Sequence, residues 1–571
     1  MIDPSQEAMQ TLLDQAAQGR LSRRRFMGLA SALGLAGATS PMIVDTALAA
    51  GRNQAENRRA LRRSYDYIVV GAGAAGCIIA SRLAGAGAEV LLVEAGGTDA
   101  LPQVSDPSVW FTNIGGPLDW RFKAAPSPHV NGRAVPVAMG RVLGGGTSIN
   151  ALLWVRGLAQ DYDNWAAQGC EGWGFDDVLP VFKGIEDWEG GANAWRGVGG
   201  PVHVQTAKDP HPTARAVIAG CGQMGIPILD DVNGPMREGA GYVNMTIARD
   251  GSRASASRAF LRPALGLPNL TLLLDTSVTR LQLSGSRCTG VTLFTGQTLT
   301  PVRASREVIV TAGGVASAKL LMLSGIGPAA DLKAAGVRPR VDLPGVGQNF
   351  QDHPLLFGVI LKYRGAMPAR SPHSNAVEAA AYVRSDGSKP GPDIKLVLME
   401  LPVLSDEMRA RYGAPPPDSF TLAPALVRPT SRGALKLAGA WQAPPILEGG
   451  YLSTDHDLAT TIRCIEMCRE LGRQSAFDSI REAELVPGGT PTMAELAQFA
   501  RNAAISFGHP VGTCKMGVDG AAVVDPTLRV RGVEGLRVCD SSIMPTIVTG
   551  PTNAASQMIG SKASQLILSS A

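Results

Sequence analysis

A large surplus of either charge is missing from this chain. Its 571 residues carry 53 Lys and Arg against 49 Asp and Glu, so the formal net charge is only +4. A protein that binds nucleic acid usually concentrates a strong basic surplus on one face. The near balance therefore gives no support for a nucleic-acid partner. Beyond residue 49 the chain also lacks any apolar run of the ~20 residues that a membrane helix needs, so we expect no stable membrane span.

Cysteine is too scarce for a disulfide framework, with eight residues in the whole chain. Cys464 and Cys468 lie four residues apart within a helix predicted from Leu458 to Leu471, so they share one helix face. No histidine pair or second cysteine pair is near them in the sequence. We interpret the two cysteines as packing residues and expect no metal site.

The N-terminus, by contrast, has a clear pattern that is typical of an export signal. Residues 22–27 read SRRRFM, an apolar run rich in Gly and Ala extends over about 29–44, and residues 47–49 form a small-x-small cleavage site. We expect residues 1–49 to be a twin-arginine signal peptide and the mature protein to be periplasmic or secreted. An uncleaved N-terminal anchor is the alternative, but the apolar run is short for one.

The next pattern is typical of a dinucleotide-binding turn. Residues 65–70 (YDYIVV) predict a buried strand that leads into GAGAAG at 71–76. Helical spacing follows over 77–86, and a second predicted strand over 88–93 ends at Glu94. Strand, glycine turn, helix, strand and acid in this order predict a Rossmann-type site.

Each residue of this turn has a chemical reason. Gly71 allows the sharp turn, Gly73 lets a pyrophosphate approach the backbone, and Gly76 lets helix and strand pack closely. The helix N-terminus offers free N–H groups and a partial positive charge to the phosphates. Glu94 has the spacing of an acid that binds ribose hydroxyls. It argues against NADP but leaves NAD and FAD open.

A second glycine-rich segment occupies residues 140–150, GRVLGGGTSIN. Three consecutive glycines flanked by hydroxyl residues suit a backbone pressed against a flat or charged ligand. A flexible surface loop is the other interpretation, but the apolar flanks at 142–143 and 151–154 predict that the segment is buried.

Here a family resemblance becomes specific. The stretch from Gly140 through Trp154, Gly157 and Asp163 resembles the first signature of the glucose-methanol-choline (GMC) oxidoreductases. Three further stretches resemble the same family in the right order, and together the resemblance runs from about Asp66 to Leu568. They are 311–328, 347–354 and 508–559. The 311–328 stretch departs from the family at Gly314 and Ala318, which we interpret as loop-packing positions.

The resemblance implies an α/β fold, α+β overall, in which a Rossmann-type FAD-binding domain is interrupted by a substrate domain with an antiparallel sheet. We expect the FAD-binding domain at 62–165, 240–345 and 505–571, and the substrate domain at 166–239 and 346–504. Residues 392–399 and 433–437 have the apolar patterning of strands.

The resemblance also implies the residues that hold FAD. By position they are Gly71, Gly73, Ala74, Ala75, Gly76, Glu94, Gly144, Gly145, Gly146, Asn150, Val278, Asp540 and Asn553. Some relatives attach FAD through a histidine in the glycine loop. Ile149 stands at that position here, so we expect non-covalent FAD.

His509 matches the family's catalytic base, within the segment GHPVGTCKMG at 508–517. An imidazole that titrates near neutrality suits removal of a hydroxyl proton while hydride leaves the carbon for flavin N5. A histidine that only holds a buried turn is the alternative. The family places a second His or Asn beside the base, and Pro551 stands at that position. Thr549, Thr552 or Asn553 could assist in its place, or His509 could work with a residue of the substrate domain.

These observations predict an FAD-dependent alcohol dehydrogenase or oxidase acting on CH–OH donors. Its expected partners are a small alcohol and an electron acceptor, which could be a quinone, a cytochrome or oxygen. Apolar candidates for the substrate pocket hint at an apolar or aromatic alcohol; they are Leu356, Phe357, Met399 and Leu401. The alternatives are a lyase or light-driven decarboxylase that retains FAD, a silent FAD-binding protein, and an NAD-dependent dehydrogenase.

Overall fold

The structure is a computed structural model. It describes residues 21–32, 56–235, 238–296 and 298–570, together with residues 8, 12, 15, 16 and 54. Of the predicted signal peptide, a helix from Arg23 to Ala32 is described, and the predicted cleavage site lies outside the described residues. None of the helices in these ranges combines the length and hydropathy needed to span a bilayer.

The strands of the described residues are short, and most are buried on at least one face. In chain order they are β1 (Ser64–Val70), β2 (Val90–Val93), β3 (Phe122–Lys123), β4 (Pro136–Val137), β5 (Glu186–Trp188), β6 (Val202–Val204), β7 (Gly239–Tyr242), β8 (Leu270–Leu273), β9 (Ser277–Ser284), β10 (Arg287–Phe294), β11 (Leu299–Val310), β12 (Ile326–Gly327), β13 (Val341–Asp342), β14 (Pro354–Leu356), β15 (Ile360–Tyr363), β16 (Ala379–Val383), β17 (Ile394–Met399), β18 (Ser419–Leu426), β19 (Ala434–Lys436), β20 (Ile446–Glu448), β21 (Arg481–Val486), β22 (Ala504–Ser506) and β23 (Leu536–Val538).

The α-helices of the described residues surround two large sheets. In chain order they are α1 (Arg23–Ala32), α2 (Ala74–Gly85), α3 (Pro102–Ser105), α4 (Ala159–Ala167), α5 (Phe175–Ile185), α6 (Pro212–Gln223), α7 (Arg262–Ala264), α8 (Gly313–Leu323), α9 (Ala329–Ala334), α10 (Asp406–Tyr412), α11 (Asp455–Gly472), α12 (Met493–Ala503) and α13 (Asn553–Ser569).

The first large sheet has seven strands in the order β8-β2-β1-β11-β10-β9, with β23 paired to β11. Strands β8, β2, β1, β11 and β23 run parallel, whereas β9 and β10 are antiparallel additions. Strand β1 lies at the centre and is buried along most of its length, as its β-branched sequence predicts. The predicted α/β fold with a Rossmann-type sheet is confirmed.

The helix after β1 begins three residues earlier than the sequence pattern suggests. Its first residue is Ala74, with Gly73 at the N-cap, and not Cys77. The turn is therefore confined to Gly71, Ala72 and Gly73, because the backbone of Gly71 at φ 104° reverses the chain at once. This tight turn brings the N-terminus of α2 directly to the end of β1.

The second large sheet has eight antiparallel strands, in the order β21-β15-β18-β17-β16-β7, with β14 and β22 at one side. Helix α11 covers one face, where the Cys464 thiol lies 3.6 Å from the carbonyl oxygen of Lys395. Cys464 and Cys468 are both fully buried there. Strands β7 and β22 straddle the predicted domain limits at 240 and 505, and both pair within this sheet.

The opposite face of the second sheet faces the cofactor side of the molecule. Val397 and Met399 of β17 pack there in an apolar cluster with Leu152 and Leu153, which follow the glycine-rich segment, and with Phe507. The second sheet thus contacts both the chain after the glycine-rich segment and Phe507, which lies two residues before His509.

Candidate active site

Two positions of the glycine turn after β1, Gly71 and Gly76, have no space for a side chain. A Cβ on Gly71 would lie 2.6 Å from the carbonyl oxygen of Thr311, and a Cβ on Gly76 would overlap the carbonyl oxygen of Gly71. Helix α2, strand β1 and the end of β11 therefore pack backbone to backbone. The same close packing brings α13 onto α2, since a Cβ on Gly560 would lie 2.6 Å from the Cα of Ala75.

The second glycine segment lies directly on this turn. The Gly144 N–H donates to the carbonyl oxygen of Ala72 at 2.8 Å, and a Cβ on Gly145 would lie 2.8 Å from the Cα of Gly73. The space in front of both segments is open, because a Cβ on Gly73 would meet nothing closer than 4.0 Å and one on Gly146 would meet nothing within that distance. The two glycine segments therefore share one open backbone surface, which fits a pyrophosphate and a flat ring system.

Ala74 and Ala75 are the first residues of α2, so their N–H groups are free of intrahelical partners. Glu94 is buried at the end of β2, and burial raises its pKa to about 7. Its carboxylate accepts hydrogen bonds from the N–H groups of Ala72 at 2.9 Å and Gly96 at 2.8 Å. Glu94 thus joins β2 to the glycine turn, and its remaining lone pairs are available to a ribose.

Asn150 and Val278 lie further along the same region. Asn150 Oδ1 accepts hydrogen bonds from the Leu152 N–H at 3.0 Å and from the buried Arg253 guanidinium at 2.8 Å. These bonds fix the chain where it leaves the glycine segment. Val278 is half-buried on β9 and lies opposite Leu293 of β10.

Asp540 organises the N-terminus of α8. It accepts hydrogen bonds from the Gly313 N–H at 2.8 Å, the Ser317 hydroxyl at 2.5 Å and the Ser542 N–H at 2.8 Å. These bonds hold the loop after β23 against the loop after β11. Burial is the main influence on its carboxyl and raises its pKa.

Asn553 is the first residue of α13. Its Nδ2 donates to the carbonyl oxygen of Leu153 at 3.4 Å, and its Oδ1 accepts from Gln557 at 3.0 Å. The residue therefore ties the start of α13 to the chain that follows the glycine segment.

His509 pairs with a second histidine to which the sequence assigned no role. The Nδ1 atoms of His353 and His509 lie 2.9 Å apart, with the rings nearly perpendicular at 88°. His353 is fully buried, and burial together with the charge of Lys395 lowers its pKa to about 3. Burial, His353 and Lys395 hold the pKa of His509 well below its usual value of 6.5. Both imidazoles are therefore neutral at pH 7.

The loop that carries His509 is fixed by a buried carboxylate. Asp352 accepts hydrogen bonds from the His509 N–H at 3.0 Å, the Tyr451 hydroxyl at 2.7 Å and the Ser506 hydroxyl. The Phe507 ring stacks on the His509 ring at 4.7 Å between centroids. Asp352, Phe507 and His353 therefore set both the position and the plane of the imidazole.

The residues after β23 that could assist His509 differ in their surroundings. Thr549 is fully engaged: its N–H and hydroxyl donate to Asp161 at 2.7 and 2.9 Å, and it accepts from Arg428 at 3.2 Å. Thr552 is buried immediately before α13. Pro551 is buried between them and has no side-chain donor.

The four apolar pocket candidates do not lie together. Phe357 and Met399 join the cluster of Leu152 and Leu153, whereas Leu356 packs in the main core. Leu401 belongs to neither cluster: it is half-buried beyond the end of β17, and its carbonyl oxygen accepts from the Thr421 hydroxyl at 2.7 Å. Among the described residues no group of three or more His, Cys, Asp and Glu side chains is arranged to hold a metal ion.

The sequence analysis missed two further polar residues. They are Lys395, whose charge acts on His509, and Tyr382, whose ring lies beside Lys395. Both lie on strands of the second sheet and are buried among apolar residues. A lysine inside an otherwise apolar strand, at residues 394–399, is the signal that could have identified the first of them.

Comparison with known proteins agrees with this geometry. Two family models, both described as GMC oxidoreductase, match residues 65–355 and 429–560. The oxygen-dependent choline dehydrogenase of Brucella ovis is 39% identical over 529 residues, covering 88% of this chain and 95% of that protein. The enzyme of the same name from Sinorhizobium fredii is 38% identical over 532 residues, with the same shares of each chain.

Solved structures give the same answer. Pyridoxine 4-oxidase from Mesorbium loti has a TM-score of 0.84 at 34% identity, covering 88% of this chain and 98% of that chain. Formate oxidase from Aspergillus oryzae, in a variant prepared to study FAD modification, has a TM-score of 0.80 at 25% identity. The match covers 89% of this chain and 98% of that chain. The family models span more than half of the sequence, and so the chain belongs to the GMC oxidoreductase family, whose cofactor is FAD.

Proposed function

We propose that this protein oxidises the CH–OH group of a small alcohol to a carbonyl, with His509 as the base that takes the hydroxyl proton. Bound FAD supplies the acceptor for the hydride that leaves the same carbon. The open backbone surface at Gly73 and Gly146 would hold the cofactor. The observation that carries the proposal is the buried, neutral imidazole of His509, which pairs with His353.

The pairing of the two histidines assigns the direction of proton transfer. Two Nδ1 atoms 2.9 Å apart need one proton between them. The carbonyl groups of Val427 and Val548 favour a protonated His353, although neither gives its Nε2 a hydrogen bond of ordinary geometry. We infer that His353 carries its proton on Nε2, towards these carbonyl groups, and accepts at Nδ1. His509 then donates from Nδ1, and its Nε2 lone pair is free to take the substrate proton.

The experiment is anaerobic reduction of the bound flavin by a panel of alcohols. Bleaching of the oxidised flavin band by any alcohol supports the proposal. His509→Ala should slow the reduction about 100-fold or more, the usual contribution of a general base. Bound flavin that no alcohol bleaches contradicts the proposal and favours a lyase, a light-driven decarboxylase or a silent FAD-binding protein.

The electron acceptor and the location are further parts of the proposal. We propose oxygen, a quinone or a cytochrome as acceptor; the names of the choline dehydrogenase and pyridoxine oxidase relatives support oxygen. Admitting air to the reduced protein distinguishes rapid reoxidation by oxygen from dependence on another acceptor. The SRRRFM segment supports twin-arginine export, which Arg24→Lys with Arg25→Lys should block in a cell fractionation experiment.

A further inference from the structure

Lys395 places an amino group without a partner next to the histidine pair. The residue lies on β17 and is fully buried. Its Nζ has no hydrogen-bond partner and no carboxylate partner among the described residues. An ammonium carries three donors, and burying it without an acceptor is costly. A group that is retained at such a cost calls for an acceptor that binds there.

The register of the second sheet shows which way Lys395 points. Side chains alternate along a strand, so Lys395 shares a face with Val397 and Met399, which pack against Leu152, Leu153 and Phe507. The Lys395 Nζ lies 5.6 Å from the centre of the Phe507 ring, and that ring stacks on His509. Its charge lowers the pKa of both His353 and His509. The amino group therefore faces the site of proton transfer.

A second donor without a partner lies beside it. Tyr382 of β16 is opposite Lys395 in the sheet, and the Lys395 Nζ lies 5.0 Å from the centre of its ring. The Tyr382 hydroxyl is buried and also has no hydrogen-bond partner in the part of the chain that the structure describes. A Cβ on Gly550 would lie 3.3 Å from that hydroxyl, so Tyr382 approaches the loop in which Pro551 replaces the usual His or Asn.

The residues that share the face of the sheet with Lys395 offer no acceptor to its amino group. The neighbours on the same face are small, with Ala425 directly opposite Lys395 on β18, and Ala380 and Ala423 one position further along. The aromatic rings of Tyr382 and Phe507 stabilise the Lys395 cation in part. They do not accept hydrogen bonds from its N–H groups. The amino group has neither a counterion nor a hydrogen-bond acceptor in the described part of the chain, and burial lowers its pKa to about 7. An acidic partner at this position would keep the group protonated at pH 7.

From this geometry we propose that Lys395 recognises the substrate: its amino group pairs with an acidic group, a carboxylate or an ionised phenol, on the alcohol that His509 deprotonates. The same cation disfavours a quaternary ammonium alcohol such as choline. This inference rests on the proposed function, because it assigns a substrate class to the same site. It predicts that the chain differs in substrate from the choline dehydrogenases to which it is similar.

The test measures binding without turnover, so that it does not depend on the proposed reaction. Benzoate, benzamide and benzyltrimethylammonium are titrated into the purified holoenzyme, and each dissociation constant is read from the change in flavin absorption. The wild type should bind benzoate best. Lys395→Met should weaken benzoate about 10- to 150-fold, the range for a hydrogen bond to a charged group, and leave benzamide nearly unchanged.

Two controls separate recognition from a structural role. Lys395→Met removes a buried charge without a partner, so it should fold and keep its FAD. Lys362→Met on the adjacent part of the sheet removes a lysine that already pairs with Glu482 at 2.5 Å, and it should leave all three dissociation constants unchanged. A benzoate affinity that is equal in wild type and Lys395→Met would overturn the inference.

Turnover then distinguishes the two proposals. With 4-(hydroxymethyl)benzoate, benzyl alcohol and choline as donors, the wild type should reduce its flavin fastest with the carboxylate, and Lys395→Met should lose that preference. If Lys395→Met slows all donors by the same factor, Lys395 acts on the cofactor or the base and the inference is wrong, although alcohol oxidation stands. If none of these or the wider panel reduces the flavin, the proposed function fails, and benzoate binding alone decides the role of Lys395.

Discussion

Gly76 shows how one missing methyl group decides whether the cofactor surface forms. A Cβ there would overlap the Gly71 carbonyl oxygen and lie 2.7 Å from the Thr311 hydroxyl, so Gly76→Ala must move α2 away from β1. Overpacking of this kind costs about 1–3 kcal/mol. We expect Gly76→Ala to bind FAD at least about tenfold more weakly, measured by flavin absorbance after dialysis.

Gly85→Ala is the matched control, because Gly85 lies in the same helix and an added methyl group there would meet nothing within 4 Å. The control should retain FAD like the wild type. Equal FAD retention in both variants would contradict the role assigned to close packing at Gly76.

The pH dependence of turnover follows from the lowered pKa of His509. A base acts only when it is unprotonated, and burial, His353 and Lys395 all hold the pKa of His509 below 6.5. We therefore expect kcat/KM to stay constant as the pH falls through 6.5 and to decline only at lower pH. Lys395→Met removes one of the three causes, so its acid limb should move to higher pH. An acid limb at or above pH 6.5 in the wild type would contradict this assignment.

Single residues differ in how far the sequence predicts them. The glycines at 71–76 and His509 lie in local patterns whose chemistry depends on neighbours in the chain. Their place in the structure matches the expectation that glycine allows close backbone approach. The pairing of His353 with His509 joins residues 156 positions apart, and Lys395 faces them from a third segment. Such contacts depend on sheet register, which no local spacing specifies.

At the scale of secondary-structure elements, helix α8 supports the His509 loop through a residue that departs from the family pattern. Gly314 lies in the first turn of α8, and a Cβ there would overlap the carbonyl oxygen of Pro510, the residue after His509. Its own carbonyl accepts from the Thr513 hydroxyl at 2.7 Å. Gly314 therefore contacts the loop that carries His509, and the interpretation of this position as loop packing alone is incomplete.

We expect Gly314→Ala to displace the His509 loop. A shift of about 1 Å at a catalytic group costs about 100-fold in rate, so anaerobic flavin reduction by the best alcohol should slow by about 10- to 100-fold. Gly222→Ala in α6 is the matched control, since its nearest neighbour would be Ile228 at 3.8 Å. A normal rate in Gly314→Ala with FAD retained would show that the loop adjusts.

The elements of the two sheets were predictable to different degrees. The succession of β1, α2 and β2 follows from local patterning, and α11 lies within a few residues of its predicted bounds. The strand order of the second sheet does not follow from local patterning, because its strands come from distant parts of the chain. Strand β7 pairs with β16 across more than a hundred residues, and β22, near the C-terminus, pairs with β14. Parallel strands in the first sheet are nearly continuous apolar runs, whereas pairing partners in an antiparallel sheet share no local signal.

At the scale of the whole molecule, a buried charge network joins the cofactor side to the substrate side. Glu186 of β5 accepts hydrogen bonds from Trp154 at 3.1 Å and from Arg156, both just after the glycine segment. Glu186 also accepts a hydrogen bond from Arg196 at 3.2 Å. Arg196 in turn forms an ion pair with Asp231 at 2.8 Å. The side chains of Glu186, Arg156 and Arg196 are completely buried. Glu186 therefore binds two guanidinium groups from different parts of the chain, one of which also pairs with Asp231.

Removing the Glu186 carboxylate leaves the buried Arg156 guanidinium without a carboxylate partner, whereas Arg196 keeps its pair with Asp231. Breaking a buried ion pair at one partner costs about 3–5 kcal/mol, so Glu186→Gln should lower the thermal midpoint of the holoenzyme clearly and loosen the substrate side from the flavin. Glu534→Gln is the control: its pair with Arg287 at 3.8 Å is largely exposed, and its loss should hardly change the midpoint. Because the network contacts neither His509 nor the glycine surface, flavin reduction well below the unfolding temperature should keep its pH profile in Glu186→Gln. A changed pH profile at an unchanged midpoint would mean that the network acts on the base and does not hold the two sides together.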